Sequence, residues 1–279
     1  MSRLPRRTLD EIKTRYFLES NLCDIYVEGE FDKKAIESWC GKNNEKKIIS
    51  YTIDSVELPI SILQKHGLTE GNKQRVIALA KELSISESGN YKLLVDKDLD
   101  HWFSGIDDIP NLLWTDYSSL EMYFFTEEII RSIIVDISNC KIDDWEVFYN
   151  SFILVLKELY SIQLACRELD IKTSWCEIRK SLSIINGELK FDIQGYIIKN
   201  YNAENFGLTR ENFLVAQDMW LSKLNCDNRL CIRGHDFVDL MALSVKLYKG
   251  NNKFNDSNVL QPILLAYIHE IDELAQRMR

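Results

Sequence analysis

An α/β fold is expected for this chain: a mostly parallel sheet with flanking helices, followed by a mainly helical subdomain. Three observations predict it. Strand-like and helix-like segments alternate from Thr8 to Thr115, the pattern of βα units. Two of those strands stop abruptly in acidic turns, Glu28-Gly29 and Asp96-Lys97-Asp98. From Thr126 onward, long amphipathic segments replace the alternation.

Taken in order, Thr8–Leu18 has helical spacing through Leu9, Ile12 and Tyr16. Asn21–Val27 is a strand-like run. Phe31–Trp39 puts Ala35, Ile36 and Trp39 on one helical face, and Lys47–Ile53 is a second β-rich run. Gly71–Leu83 is an amphipathic helix with Val76, Leu79, Ala80 and Leu83 inward. Tyr91–Val95 and Asn111–Thr115 supply a third and a fourth strand. Beyond them, Ile129–Ile137, Trp145–Glu168, Trp175–Leu182, Arg210–Leu224, Phe237–Tyr248 and Val259–Met278 have helical periodicity, with a strand signal at Glu188–Ile193 and a polar turn region at Lys249–Ser257. These divide the chain into an α/β domain at 1–126 and a mainly helical one at 127–279, packed on the first and suited to docking a partner.

Composition narrows the functional classes. The chain has 279 residues, 46% hydrophobic and 28% charged, which is ordinary for a globular protein and excludes disordered, collagen-like and disulfide-scaffold classes. Lys and Arg number 34 against 43 Asp and Glu, a net charge of −9. A basic coat for non-specific nucleic-acid binding is therefore absent. A nucleic-acid enzyme that uses metal ions, a local patch or a basic partner remains compatible. The seven cysteines form no Cys-x-x-Cys pair, and with four histidines no zinc-finger spacing arises. Reduced cysteines in a cytoplasmic protein are expected. Met1–Arg7 has no apolar core behind it and no run approaches the ~18 apolar residues of a spanning helix, so neither a signal peptide nor membrane association is expected.

Three acidic features stand out: Val27-Glu28-Gly29-Glu30-Phe31-Asp32, Val95-Asp96-Lys97-Asp98-Leu99-Asp100 and Thr115-Asp116-Tyr117-Ser118-Ser119-Leu120-Glu121. In open α/β sheets, ligands sit beyond the carboxyl ends of the strands, and the first two features occupy such ends. Crowded carboxylates there are stable if a divalent cation neutralises them or if they splay into water. Hard oxygen ligands suit Mg²⁺ or Mn²⁺. Asp96 and Asp98, two residues apart, can point to one side. Gly29 permits a tight turn and the close approach of a phosphate. A Glu beside a bound metal can act as general acid or base. The chemistry this set suits is phosphoryl transfer or phosphodiester cleavage. An acidic turn taken alone is more often solvated surface, with Asp98 or Asp100 as a helix cap.

At Ile25-Tyr26-Val27-Glu28-Gly29 and Leu93-Leu94-Val95-Asp96-Lys97-Asp98 the sequence resembles the Toprim family, whose signature is a strand with a Glu-Gly turn and a later strand ending in Asp-x-Asp. The resemblance implies that Glu28 is the catalytic general acid/base and that Asp96 and Asp98 bind Mg²⁺. In the OLD-like nuclease branch a further carboxylate helps hold a second metal, which assigns Asp100 and Glu121 to the metal set. Thr115–Glu121 and Ile232-Arg233-Gly234-His235-Asp236 are similar to blocks of Toprim proteins of PARIS-type anti-phage systems. That resemblance implies a toxic nuclease held by an ABC-type ATPase partner and cleaving RNA, with tRNA as target. The topoisomerase and primase branches are disfavoured, since neither a suitably placed nucleophilic tyrosine nor a zinc ribbon is present.

Other residues are open to two readings. Arg233 and His235 can contact phosphate and transfer a proton, or the segment is a turn at Gly234 with Asp236 as a cap. Lys97 can reach a substrate phosphate or balance charge. Arg3, Arg6, Arg7, Lys13 and Arg15 can touch RNA or an acidic partner, or be a solvated terminus. Trp102 and Phe103 follow the acidic loop and can stack on unpaired bases, though such aromatics also serve as core. The expected function is a Mg²⁺- or Mn²⁺-dependent endonuclease, with a homodimer compatible. A non-catalytic binding or regulatory subunit with a vestigial acidic site is the alternative.

Overall fold

The structure, a computed structural model, describes residues 6–19, 21–85, 90–103, 106–172, 175–203 and 210–279. Arg3 of the basic N-terminal cluster lies outside them. The chain divides into two compact units. The first comprises Met1–Leu120 and Leu265–Arg279, the second Glu121–Leu264.

In the first unit, helix α1 (Leu9–Leu18) starts from a capping box. The Glu11 N–H donates to Thr8 Oγ1 at 3.3 Å and the Thr8 N–H to Glu11 Oε2 at 2.7 Å, satisfying two otherwise orphaned donors. There follow β1 (Cys23–Val27), α2 (Glu30–Lys42), β2 (Ile48–Thr52), α3 (Ile60–Lys65), α4 (Asn72–Leu83), β3 (Tyr91–Val95), α5 (Asp100–Phe103) and β4 (Leu112–Trp114). Both α3, of 6 residues, and α5, of 4, went unpredicted. They are too short to show a 3.6-residue period.

The four strands pair in parallel in the order β2-β1-β3-β4, the expected mostly parallel α/β sheet. From β1 the chain goes to one side for β2, then returns past β1 to β3. The direction of winding therefore reverses between β1 and β3, the point at which loops diverge and leave a crevice. One face buries Tyr26, Tyr91, Leu93 and Val95 against Ile12 and Tyr16 of α1 and Val76, Leu79, Ala80 and Leu83 of α4. Ile25, Val27 and Leu94, which alternate to the other face, are buried as well. Near-continuous apolar runs in β1 and β3 follow from this double burial.

The exception in β1 is Asp24, only 1% exposed. Its Oδ2 accepts from Arg15 Nη1 at 2.7 Å and from the Tyr16 hydroxyl at 3.0 Å, and the Tyr16 and Tyr26 hydroxyls are 3.0 Å apart. Among the described residues its Oδ1 has no hydrogen-bond partner. Burial raises its pKa in spite of Arg15 and Tyr16.

The 127–279 span expected as one helical subdomain is divided differently. Leu265–Arg279 belongs to the first unit, where Trp39 Nε1 donates to Asp272 Oδ1 at 2.8 Å. The Val259–Met278 helix is broken accordingly. It becomes α11 (Ser257–Leu264), with Pro262 inside it, a 3-10 stretch over Leu265–Ile271, and α12 (Asp272–Arg277). Tyr267, at φ −102° and ψ 29°, marks the kink.

The second unit contains α6 (Glu127–Arg131), a π-helical turn at Ser132–Ile137, α7 (Trp145–Glu168), β5 (Leu182–Ile185), β6 (Glu188–Phe191), α8 (Ile193–Ala203), α9 (Arg210–Lys223), α10 (Gly234–Leu247) and α11. Phe148, Phe152, Leu156 and Tyr160 of α7 are fully buried, and α7 packs on α9, α10 and β6. The helix expected at Trp175–Leu182 is instead a 3-10 turn, Ile178–Ser181, running into β5. Asn186-Gly187 overrides the helical spacing. Both residues have positive φ, 53° and 81°, which suits the tight antiparallel hairpin of β5 and β6.

Gly250 is held at close quarters. A Cβ there would meet Cys140 Sγ at 2.7 Å and the Ser138 carbonyl oxygen at 2.8 Å. Since backbone cannot yield as a side-chain tip can, Gly250→Ala is expected to cost about 1–3 kcal/mol of stability. Denaturant unfolding checks this, and an unchanged midpoint would refute it.

Candidate active site at the switch point of the sheet

Glu28 leaves the end of β1, and Asp96, Lys97 and Asp98 leave the end of β3. These strands are neighbours, so the two acidic motifs meet at the winding reversal. The Asp96 N–H donates to Glu28 Oε1 at 2.9 Å, and Asn72 Nδ2 to the Glu28 carbonyl at 2.9 Å. Glu28 is half-buried. Burial pushes its carboxyl up to about 7; the Asp98 and Asp100 charges add to this, while the Asp96 N–H and Lys73 oppose it. A carboxyl that changes protonation near neutrality is equipped to take and to return a proton.

Asp96 Oδ1 accepts from the Leu120 N–H at 3.0 Å, and the Asp98 N–H donates to the Ser118 carbonyl at 2.7 Å. The loop after β3 is thereby tied to the segment after β4. Asp98 stands at φ 46°, a left-handed conformation that Asp tolerates better than most residues. Asp98 and Asp100 converge on one cation, the ammonium of Lys73 in the first turn of α4. Lys73 Nζ donates to Asp98 Oδ2 at 3.0 Å, to Asp100 Oδ2 and to the Lys97 carbonyl at 3.3 Å, and lies 5.3 Å from the centre of the Trp114 ring. The Lys73 side chain is 12% exposed. Burial disfavours its charge, but the two aspartates outweigh burial and raise its pKa.

Lys97 turns elsewhere. Its Nζ donates to the Asp116 carbonyl at 2.7 Å and its N–H to Thr115 Oγ1 at 3.1 Å, and burial lowers its pKa. These bonds tie the loop after β3 to the segment after β4. Arg277 of α12 reaches the same rim, with Nη2 2.7 Å from Asp116 Oδ2. Gly29 is not there for backbone freedom. Its φ is −138°, and an added Cβ would meet Asp32 Oδ2 at an ordinary 3.6 Å. Its N–H donates to that same Asp32 oxygen at 3.0 Å, closing the first turn of α2.

Glu121, Arg233 and His235 lie in the second unit. Glu121 Oε1 accepts from Gln261 Nε2 at 3.0 Å. Arg233 is the N-cap of α10, with Nη1 3.7 Å from Asp236 Oδ2. His235 is an exposed side chain, with Nε2 3.5 Å from Asp239 Oδ2. Asp239 also lines an open, mixed-charge cavity of about 450 Å³ together with Glu177, Arg179 and Asp256. Trp102 and His101 pack ring against ring, 5.3 Å between centres, and Phe103 is 37% exposed.

Sequence reasoning missed Lys73, Asn72 and Arg277. A signal for the first two existed. A helix leading into a parallel strand starts at the carboxyl edge of the sheet, so the first turn of α4 had to lie beside Glu28 and Asp96. No comparable signal marked Arg277.

Among the described residues, no three His, Cys, Asp or Glu side chains converge as a ready-made ligand set for a metal. The donor chemistry at Lys73 nonetheless suits a hard cation, because two carboxylate oxygens and one carbonyl oxygen already surround a positive charge there. Neither the protein-family models nor the curated proteins with which the chain was compared match it. Among the described residues, no helix is long and apolar enough to cross a membrane.

Proposed function

We propose that the chain is a divalent-metal-dependent endonuclease of the Toprim type. The observation that carries this reading is the meeting, at the switch point, of a carboxyl titrating at about 7, Glu28, with two aspartates gathered on a cation, Asp98 and Asp100. Asp96, Asp98 and Asp100 would hold Mg²⁺ or Mn²⁺, with Glu121 as a further carboxylate by resemblance. The metal would supply charge stabilisation for a phosphodiester and its leaving oxygen. Glu28 would move the proton, and the Asp96 N–H would fix its carboxylate. Placement of Arg233 and His235 at the substrate also rests on the resemblance.

The resemblance likewise supports RNA, with tRNA favoured, as the substrate, and a role as a toxic effector in bacterial anti-phage defence restrained by an ABC-type ATPase. The net charge of −9 agrees with restraint, since an acidic protein captures nucleic acid poorly by charge alone. One observation favours the non-catalytic alternative. Asp98 and Asp100 are already ion-paired with Lys73, as they would be in a purely structural loop.

The experiment is incubation with total RNA, tRNA, plasmid and single-stranded DNA, with and without Mn²⁺, beside Glu28→Gln. Metal-dependent cutting that the variant loses by at least ~10²-fold is the expected result. Equal cutting by both proteins would remove Glu28 from the mechanism. If neither protein cuts and millimolar Mn²⁺ fails to raise the melting temperature of the wild type, the nuclease reading falls.

A further inference from the structure

Lys73 is a cation at the acidic site that no sequence motif singled out and that the proposed reaction does not use. Its ammonium is enclosed by Asp98 Oδ2, Asp100 Oδ2, the Lys97 carbonyl oxygen and the Trp114 ring. These oxygens are the hard donors that a divalent cation would take, and Lys73 holds them with a charge of one. An ammonium and a doubly charged ion cannot share two carboxylates at such range without strong repulsion. Lys73 also has somewhere to go. It stands in the first turn of a helix, on a stem of four methylenes that can carry the ammonium towards solvent.

We propose that Lys73 is a built-in competitor for the divalent cation: its ammonium occupies the Asp98–Asp100 site in the metal-free protein and must swing out for the metal to enter. This rests on the reading of the site as a metal site and adds its regulation. Metal affinity is held down by the Lys73 ion pairs. Metal entry turns a part-buried, paired ammonium into an exposed one at the mouth of the site, where the phosphate of a nucleic acid would meet it. The two aspartates are half-neutralised by lysine in the metal-free protein and would be fully neutralised by the metal.

The test measures metal binding, without any need for activity. Mn²⁺ is titrated calorimetrically into the metal-free full chain, wild type, Lys73→Met and Lys73→Arg. Methionine keeps the length of the stem and removes the charge; arginine keeps the charge. Lys73→Met is expected to bind Mn²⁺ at least about tenfold more tightly than wild type, while Lys73→Arg gains nothing, because like-charge repulsion at this range is worth at least that factor. Equal or weaker binding by Lys73→Met, with wild type binding normally, would overturn the competitor role and leave the metal site standing. No binding by any of the three would overturn the metal site and this inference together.

Amine-reactive labelling of the wild type, read by mass spectrometry, provides a check that needs no variant. Lys73 should label faster with saturating Mn²⁺ than without it, because its side chain goes from 12% exposed to free. Unchanged or slower labelling of a protein that binds Mn²⁺ would also refute the swing.

Discussion

Glu28→Gln, in metal-free protein, will be more stable than wild type at pH 8 by about 2–3 kcal/mol and will show no such advantage near pH 4. The sign follows from the direction of the shift. The Glu28 carboxyl titrates at about 7 in the fold against an ordinary 4.5, so the folded state holds the proton more tightly than the unfolded chain does. Stability from this group is fully present below pH 4.5 and is lost as pH rises through 7. Glutamine keeps an oxygen for the Asp96 N–H and carries no charge, so it escapes the loss. Urea unfolding of both proteins at several pH values, with a chelator present, measures the gap. A gap that stays constant from pH 4 to pH 8 would show that Glu28 ionises normally. The expected result also bears on the proposed function, since a general base there would be kept at the expense of stability.

Arg15→Met is expected to cost about 2–4 kcal/mol at pH 8 and less at pH 5. It leaves Asp24, whose side chain is 0% exposed, with the Tyr16 hydroxyl as its one remaining donor among those at Oδ2. Breaking one side of a buried pair strands the other charge. Burial already raises the Asp24 pKa with Arg15 in place, and without Arg15 it rises further. The carboxyl then protonates on mild acidification and part of the cost disappears. A second change, Asp24→Leu, should restore much of the loss in the double variant, because the Tyr16 and Tyr26 hydroxyls keep each other as partners at 3.0 Å. A single-variant loss that is the same at both pH values, or a double variant no better than the single one, would count against the stranded-charge account.

The two acidic motifs were legible because the chemistry of the strand ends is local. Apolar runs that stop in Glu28 or Asp96 place those residues at the sheet edge once the strands are parallel. The two central strands were legible for the same reason, β1 and β3 being buried on both faces and hence nearly continuous in apolar residues. What the sequence hid was convergence from a distance. Lys73 is 25 residues from Asp98, and no period or spacing connects them; only the geometry of a βα crossover does. The Trp175–Leu182 segment misled because its helical spacing is real but lies directly before an Asn-Gly turn, and the hairpin closed by that turn won. The last helix misled in another way, since its apolar spacing runs on through the break at Tyr267 and through the change of unit at Leu265.

That change of unit has a consequence for the order in which the molecule can be assembled. Trp39 and its partner Asp272 are 233 residues apart, with the whole of the second unit between them. On a ribosome moving at about 5–20 residues per second, the indole waits roughly 10–50 seconds for that carboxylate to be made. During this interval β1, β3 and the acidic loops already exist as chain, while Arg277, which braces Asp116 at their rim, does not. The acidic edge of the sheet is thus finished late in translation, and a nascent chain stalled within the second unit would carry Glu28 and Asp96 without that brace.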